Sequence, residues 1–260
     1  MKDQLSKLIN LNSPNKRIIS LVPSQTELLV DLGLDDLIVG ITKFCIHPSH
    51  LINNKTIVGG TKNIKLNKIK ELNPDIILCN KEENTKEIVE ACLQIVPTHV
   101  SDIFTLDDSK KLIKEYGNIF SCKMQAQNII KKLDSEILQF QKFIKNKRER
   151  TVAYFIWKNP WMVAANNTFI NHLIELNNFK NIYKNLNRYP EIELQDIKKE
   201  NPNLILLSSE PFPFKEKHIN EIASHTSQSK IILVDGEMFS WYGSRLLKAF
   251  DYFKKLHNSI

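Results

Sequence analysis

The 260-residue sequence predicts an α/β protein of two Rossmann-like lobes, each built on a parallel sheet, bridged by one long rigid helix. A repeated αβ segment, an alternation of strands and helices in both halves, and an uninterrupted helical stretch between them predict it. Residues 66–78 align without gaps with residues 194–206 at a constant offset of 128, and the same offset brings Glu82 onto Glu210. Each copy reads as a short helix ended at Asn-Pro, Asn73-Pro74 and Asn201-Pro202, because the residue before proline avoids the right-handed helical region. A short apolar run comes next in each, the pattern of a strand buried on both faces of a parallel sheet.

Along the chain, residues 1–16 form an N-terminal extension. The first lobe, residues 17–118, opens with a strand at residues 17–21 and turns into a helix carrying Thr26, Glu27, Leu28 and Leu29. It then passes through the repeated αβ unit and closes with a strand at residues 96–100. Residues 119–148 form the bridge: from Ser121 to Lys147 there is neither Gly nor Pro, and Ile129, Ile130, Leu133, Ile137, Leu138, Phe140 and Ile144 recur at helical spacing. Such a helix spans roughly 40 Å. It is stiffer than a Gly/Ser linker, which predicts little hinge motion. The second lobe, residues 149–260, repeats the plan, with strands at 151–156 and 231–234, a helix at 168–174 and the second αβ copy.

Lysine plus arginine number 36 against 29 aspartate plus glutamate, a formal charge of +7, but the basic residues are spread along the chain. A nucleic-acid-binding protein concentrates them, so nucleic acid is not an expected partner. The densest cluster, Lys145, Lys147, Arg148 and Arg150, sits at a predicted helix end, where cations complement the helix dipole. Cys45, Cys79, Cys92 and Cys122 lie far apart without CxxC spacing, which argues against a zinc site and a disulfide framework. Unpaired thiols fit a reducing compartment. Residues 1–9 lack a continuous apolar core of a signal peptide, and nowhere do about 18 apolar residues run together. The expectation is therefore a cytoplasmic monomer with no membrane insertion, periplasmic or cell-surface only if a leader has been removed.

In open parallel sheets, ligands bind beyond the carboxyl ends of the strands, and two lobes would present two such edges across a cleft. The predicted strand exits hold Ser24, Phe44, His47, Lys62 and Asn84 in the first lobe, and Trp157, Trp161, Phe212, Trp241 and Tyr242 in the second. These are the candidate ligand-binding residues. All three tryptophans of the chain fall in second-lobe exits, which suggests a bulky, flat, apolar ligand. Core packing by Trp157 and Trp161, with Trp241 capping a helix, is the alternative. His47, two residues after Cys45, is a candidate soft-metal ligand, held directly or as an axial ligand to a metal that the small molecule brings. Glu82, Glu83 and Glu210 permit cation binding, acid–base chemistry or recognition of arginines on a partner, and their symmetry favours a partner touching both lobes. No GxGxxG, P-loop, HExxH or GxSxG occurs, so neither an enzyme nor an intrinsic cofactor is expected.

Several of these motifs occur together in a particular order: Arg17-Ile18-Ile19-Ser20-Leu21-Val22-Pro23-Ser24 with Thr26-Glu27, Val39-Gly40-Ile41, Gly59-Gly60, Asn73-Pro74-Asp75, the long helix and the Trp241 loop. In order and spacing they resemble the cobalamin and iron-siderophore type of substrate-binding protein that serves ABC transporters, from Arg17 to about Phe253. The resemblance implies a ligand pinched between two lobes with little closure on binding. It matches Phe44, His47-Pro48 and Trp241 to positions lining a corrinoid pocket. It matches Glu82 or Glu83 and Glu210 to acidic knobs that engage arginines on the permease. The runs around Cys45, Glu82, Glu210 and Trp241 look like a subfamily termed helical-backbone metal receptors. The implied function is to hold a corrinoid, cobalamin-like, or another metal chelate for ABC-type uptake. A cytosolic metal-handling protein or an enzyme reusing the same fold is the alternative.

Overall fold

The computed structural model describes Gln4, residues 16–226 and residues 228–260. The N-terminal extension, apart from Gln4 and Lys16, lies outside the described residues, as does the stretch read for a signal peptide. The chain divides into two compact units, Met1–Asp134 with Tyr242–Leu246, and Ser135–Trp241 with Leu247–Ile260.

The first unit holds a five-stranded sheet of β1 (Ile18–Ser20), β2 (Ile38–Ile41), β3 (Thr56–Ile57), β4 (Ile76–Asn80) and β5 (Thr98–Ser101), in the order β3-β2-β1-β4-β5 with every pairing parallel. Its helices are α1 (Pro23–Asp31), α2 (Leu51–Asn54), α3 (Leu66–Glu71), α4 (Lys86–Leu93) and α5 (Leu106–Ile119). Pro23 starts α1, where its missing N–H costs nothing. Thr85 caps α4 by accepting from the Ile88 N–H, and a reciprocal Thr105/Asp108 capping box starts α5.

The long helix α6 covers Lys123–Ile144, and the division between the units falls inside it. At 22 residues it is about 33 Å long, shorter than the sequence suggests. Ser121 takes a left-handed φ of 58° just before it, which breaks the helical run on that side.

The second unit contains β6 (Arg150–Trp157), β7 (Met162–Val163), β8 (Phe179–Asn181), β9 (Leu204–Ser208) and β10 (Lys230–Val234). Its helices are α7 (Phe169–Leu176), α8 (Leu194–Glu200), α9 (Glu216–Ala223), α10 (Gly236–Ser240) and α11 (Leu246–Ser259). The order β10-β9-β6, with β8 also parallel to β6, reproduces β5-β4-β1-β2 of the first unit. One strand departs from the all-parallel expectation: β7 is antiparallel to β6, because only four residues separate Trp157 from Met162 and a crossover needs a dozen or more.

The repeat is physical as well as textual. Asn73 and Asn201 both take left-handed backbone angles, φ 44° and 42°, and end α3 and α8. Asparagine tolerates this conformation better than most side-chain-bearing residues. The residue after each proline then clasps the opening strand. Asp75 Oδ2 accepts from the Arg17 N–H at 2.7 Å, and Asn203 Oδ1 accepts from the Thr151 N–H at 2.9 Å. These clasps set Ile18 against Ile76 and Val152 against Leu204. The cores repeat too: Ile69, Ile77 and Cys79 are fully buried in the first unit, and Ile197, Ile205 and Leu207 in the second. Burial of each such side chain contributes about 1.5–3 kcal/mol.

Residues 242–246 are anchored in the first unit by polar contacts that are themselves buried. Arg245 Nε donates to Glu27 Oε2 at 2.7 Å, with both side chains 5% exposed. Loss of one partner from such a pair costs about 3–5 kcal/mol, since the other charge stays desolvated. Gln25 donates to the Tyr242 hydroxyl at 2.9 Å and to Ser101 Oγ at 2.6 Å, and accepts from the Tyr116 hydroxyl at 2.7 Å. Gly243, at φ +82°, donates its N–H to Ser109 Oγ.

If the left-handed turn is what the repeated asparagine supplies, Asn73→Ala and Asn201→Ala each lower stability by about 1 kcal/mol, while the glycine variants hold it. Urea unfolding of the four variants checks this, and equal losses for alanine and glycine would locate the effect elsewhere.

Candidate functional site

In the first unit the loop after β2 turns outward. Phe44 is 47% exposed, with the Lys43 ammonium 5.0 Å from its ring centre. Gly60 gives that ring room, since an added Cβ would lie 3.2 Å from Phe44 Cε2. His47, three residues further along the chain, is half-buried. Cys45 faces inward between the Thr26 and Thr42 hydroxyls, 3.1 and 3.2 Å from its sulfur, and burial pushes its thiol pKa up. It is a neutral packing thiol, not a thiolate poised for metal. Among the described residues no three His, Cys, Asp or Glu side chains converge on a point where one ion could sit.

The acidic loop after β4 is fixed by Asn80. Its Oδ1 accepts from the Glu82 and Glu83 N–H groups at 2.8 and 3.1 Å, an Asx turn that sets both glutamates at the strand exit. Lys62 donates to the Glu82 carbonyl at 2.6 Å. Asn84 is buried, accepting from the Asn80 N–H and donating to the Thr61 carbonyl. Ser24 and Tyr242 are also buried in this unit. Asn84 and Tyr242 thus hold loops in place, and the side chains this unit turns outward are Phe44, Lys62 and, in part, His47.

In the second unit the exits form a continuous aromatic cluster. Trp157 meets Phe212 edge-on at 5.7 Å, Phe212 meets Phe214 at 4.8 Å, and Trp161 stacks on Phe214 at 6.0 Å with the rings 10° apart. His218 abuts both phenylalanines, and burial, then Lys158 and Lys217, lowers its pKa, so it is a neutral ring. Lys158 lies over Trp161 and pairs with Glu221. Trp157, 39% exposed, is the outermost member, whereas Trp161 is partly buried against the core.

Glu210 is not the open acid that its symmetry with Glu82 suggests. Its Oε1 accepts from Trp241 Nε1 at 2.9 Å and from Ser240 Oγ at 2.7 Å. Gly236 permits that approach: a Cβ there would lie 2.6 Å from Glu210 Cγ and closer still to Ser208 Oγ. Burial, above all, raises the Glu210 pKa, with Glu237 and Asp235 adding repulsion. Trp241 is itself 6% exposed and ends α10, so its indole is an anchored part of the unit. Sequence reading missed Asn80, Gly236, Phe214 and His218. Of these only the run Pro211-Phe212-Pro213-Phe214 carried a local sign, aromatic residues alternating with prolines.

Duplicated parallel α/β units with ordered polar loops and outward aromatic side chains at their strand exits define a small-molecule-binding protein of the open-sheet class. The chain belongs to the periplasmic binding protein family, whose sequence profile it matches over residues 18–231. It is 23% identical over 214 residues to an uncharacterised ABC transporter substrate-binding lipoprotein of Bacillus subtilis, covering 78% of this chain and 67% of that one. The fold is similar to that of the periplasmic vitamin B12 binding protein of Vibrio cholerae, with a TM-score of 0.80 at 18% identity, covering 95% of this chain and 99% of that one. It is similar as well to a periplasmic heme-binding protein from Roseiflexus, with a TM-score of 0.83 at 16% identity over 94% and 98% of the chains.

These findings overturn the expectation of a cytoplasmic protein, and with it the cytosolic alternative. A family of periplasmic binding proteins, with a lipoprotein among its relatives, points to action outside the cytoplasm. The thiols misled because all four are buried: each packs inside its unit, so their unpaired state carries no record of the surrounding redox conditions. Among the described residues no helix is long and apolar enough to cross a membrane.

The raised pKa of Glu210 has a definite sign in stability. Between the ordinary glutamate pKa and the raised one, the folded chain binds a proton that the unfolded chain has lost, so this site's contribution falls as pH rises through that window. Glu210→Gln keeps the acceptor for Trp241 and removes the titration. Its stability relative to the unsubstituted protein is expected to improve from pH 4.5 to pH 8 in urea unfolding, and a pH-independent difference would refute the assignment.

Proposed function

We propose that this chain is the substrate-binding component of an ABC importer and captures a flat, metal-bearing macrocycle, a corrinoid of the cobalamin type. The carrying observation is the pair of aromatic side chains that remain outward at strand exits, Phe44 and Trp157, in a protein whose other large aromatics are mostly buried or partly buried. Aromatic faces suit a broad, flat ligand, and their low side-chain entropy keeps the ordering cost of the contact small. The lack of a convergent donor set among the described residues fits a ligand that brings its own metal. The vitamin B12 and ABC-lipoprotein names of the relatives support the same class. Titration with cyanocobalamin and cobinamide, followed by tryptophan fluorescence, tests it. Saturable micromolar binding, weakened about tenfold in Phe44→Ala and in Trp157→Ala, is the expected result, about 1.4 kcal/mol per ring. No retention of either corrinoid would refute it.

Haem is the second reading, favoured by half-buried His47 in the same loop as exposed Phe44, since imidazole is a common axial ligand of haem iron. It predicts a haem absorbance band that shifts on binding and is lost in His47→Ala.

Docking to the permease is assigned to acids at the tops of the units. With Glu210 engaged by Trp241, the second-unit acid is Glu216, exposed in the first turn of α9, and its counterpart is exposed Glu87 in the first turn of α4. Both helices come after equivalent strands, β4 and β9. Glu82 and Glu83 flank the first of these surfaces. The double charge reversal Glu87→Lys with Glu216→Lys is expected to abolish transporter stimulation in proteoliposomes while corrinoid affinity is unchanged. Undiminished stimulation would exclude these acids as the docking points.

A further inference from the structure

At the end of the second unit opposite its aromatic exits, five cations gather: Lys145, Lys147, Arg148, Arg150 and Lys230. Arg150 opens β6 and Trp157 closes it, so the two ends lie about 23 Å apart along one strand. Tertiary contacts complete the group. Lys147 donates to Asn258 Oδ1 at 3.1 Å and Lys230 to the Ser259 carbonyl at 2.6 Å, which brings both ammonium groups to the last turn of α11. Asn178 donates to the Lys147 carbonyl at 2.9 Å, and the next residue, Phe179, pairs in register with Arg150. Lys145, Arg148 and Lys230 are exposed and the other two half-buried. No carboxylate side chain pairs with any of the five among the described residues.

Helix capping does not absorb this charge. The C-terminal ends of α6 and α11 lie together here, with His257 edge-on to Phe143 at 6.0 Å, and each end carries about half a negative charge. Even with Glu149 and the carboxylate of Ile260 counted as well, about two of the five cations remain unbalanced. His257 registers the excess: burial first, then Lys147 and Arg150, lower its pKa to about 4. The cations are also spread out, since β9 lies between Arg150 on β6 and Lys230 on β10, a separation of about 10 Å. Such an array suits many phosphates on a surface better than one bound anion.

We infer that this end of the second unit rests on an anionic lipid surface, with its cations among the headgroup phosphates. The inference rests on the proposed role beside an importer, which puts the protein at a membrane. Clusters of about four to eight Lys or Arg bind anionic lipid in this way. The contact is peripheral, since among the described residues no helix is long and apolar enough to cross a bilayer. Held by this end, the unit turns Trp157 away from the membrane, toward the solution from which ligand arrives.

Co-sedimentation of the full chain with phosphatidylcholine vesicles containing about one-third phosphatidylglycerol tests the inference, at about 0.15 M salt, where loose attraction is screened beyond about 8 Å. Binding to these vesicles and not to pure phosphatidylcholine is expected, weakened at least tenfold in Lys145→Glu/Arg148→Glu/Lys230→Glu. The variant Lys65→Glu/Lys68→Glu/Lys111→Glu makes the same change in net charge at exposed positions of the first unit and is expected to bind within about twofold of the unsubstituted protein. Equal binding to both vesicles, equal losses in the two variants, or retention by soluble polyphosphate without retention by vesicles overturns the inference. Corrinoid titration of the same proteins separates it from the proposed cargo: loss of vesicle binding with corrinoid binding intact refutes the lipid contact alone, and the converse refutes the cargo alone.

Discussion

The clasp between a left-handed asparagine and the start of a strand is the constraint on which both units depend. Asn73 and Asn201 turn the chain left-handed within two residues of a helix end, proline prevents the helix from resuming, and the next side chain accepts a backbone N–H at the start of the opening strand. Three consecutive residues thereby fix helix end, strand direction and register together. In a parallel sheet this matters because slipping by one residue would turn every buried side chain to the opposite face. Ile77 and Ile205, fully buried at equivalent places, sit where that register puts them.

A fixed register allows a division of labour at the strand exits. Short polar side chains there are turned inward and satisfied: Asn80 orders the acidic turn, Asn84 ties it to Thr61, and Gln25 joins Tyr242, Ser101 and Tyr116. Such networks, once complete, rigidify loops that would otherwise lie at the low-stability end of the molecule. The apolar groups left outside, Phe44 in the loop after β2 and Trp157 at the end of β6, are 47% and 39% exposed. An aromatic side chain has few torsions to fix, so such a surface loses little entropy on binding.

Glu210 and Trp241 show how one contact redirects a sequence-level reading. Symmetry with Glu82 gives an acid at the top of the second unit, and position in a strand exit gives a tryptophan available to a ligand. In the fold each occupies the other, and Gly236 makes the space for them to meet. The carboxylate is desolvated and the indole buried, so the exposed aromatic side chain at this unit's exits is Trp157.

The duplication, the parallel α/β class, the long helix and the strand exits are legible in the residues alone, because they rest on periodicity and on Asn-Pro punctuation, which act over a few residues. The antiparallel β7 was also within reach, since four linking residues admit only a hairpin. Which exit residues face outward was settled in three dimensions. Ser24, Asn84, Trp241 and Tyr242 are buried, and Phe44 and Trp157 are not, through partners as distant in sequence as Gln25 and Tyr242. Three-dimensional packing likewise made four scattered cysteines into core residues and brought Lys147 and Lys230 to one helix end. Burial and hydrogen-bond pairing are properties of positions in space, and no local pattern of residues encodes them.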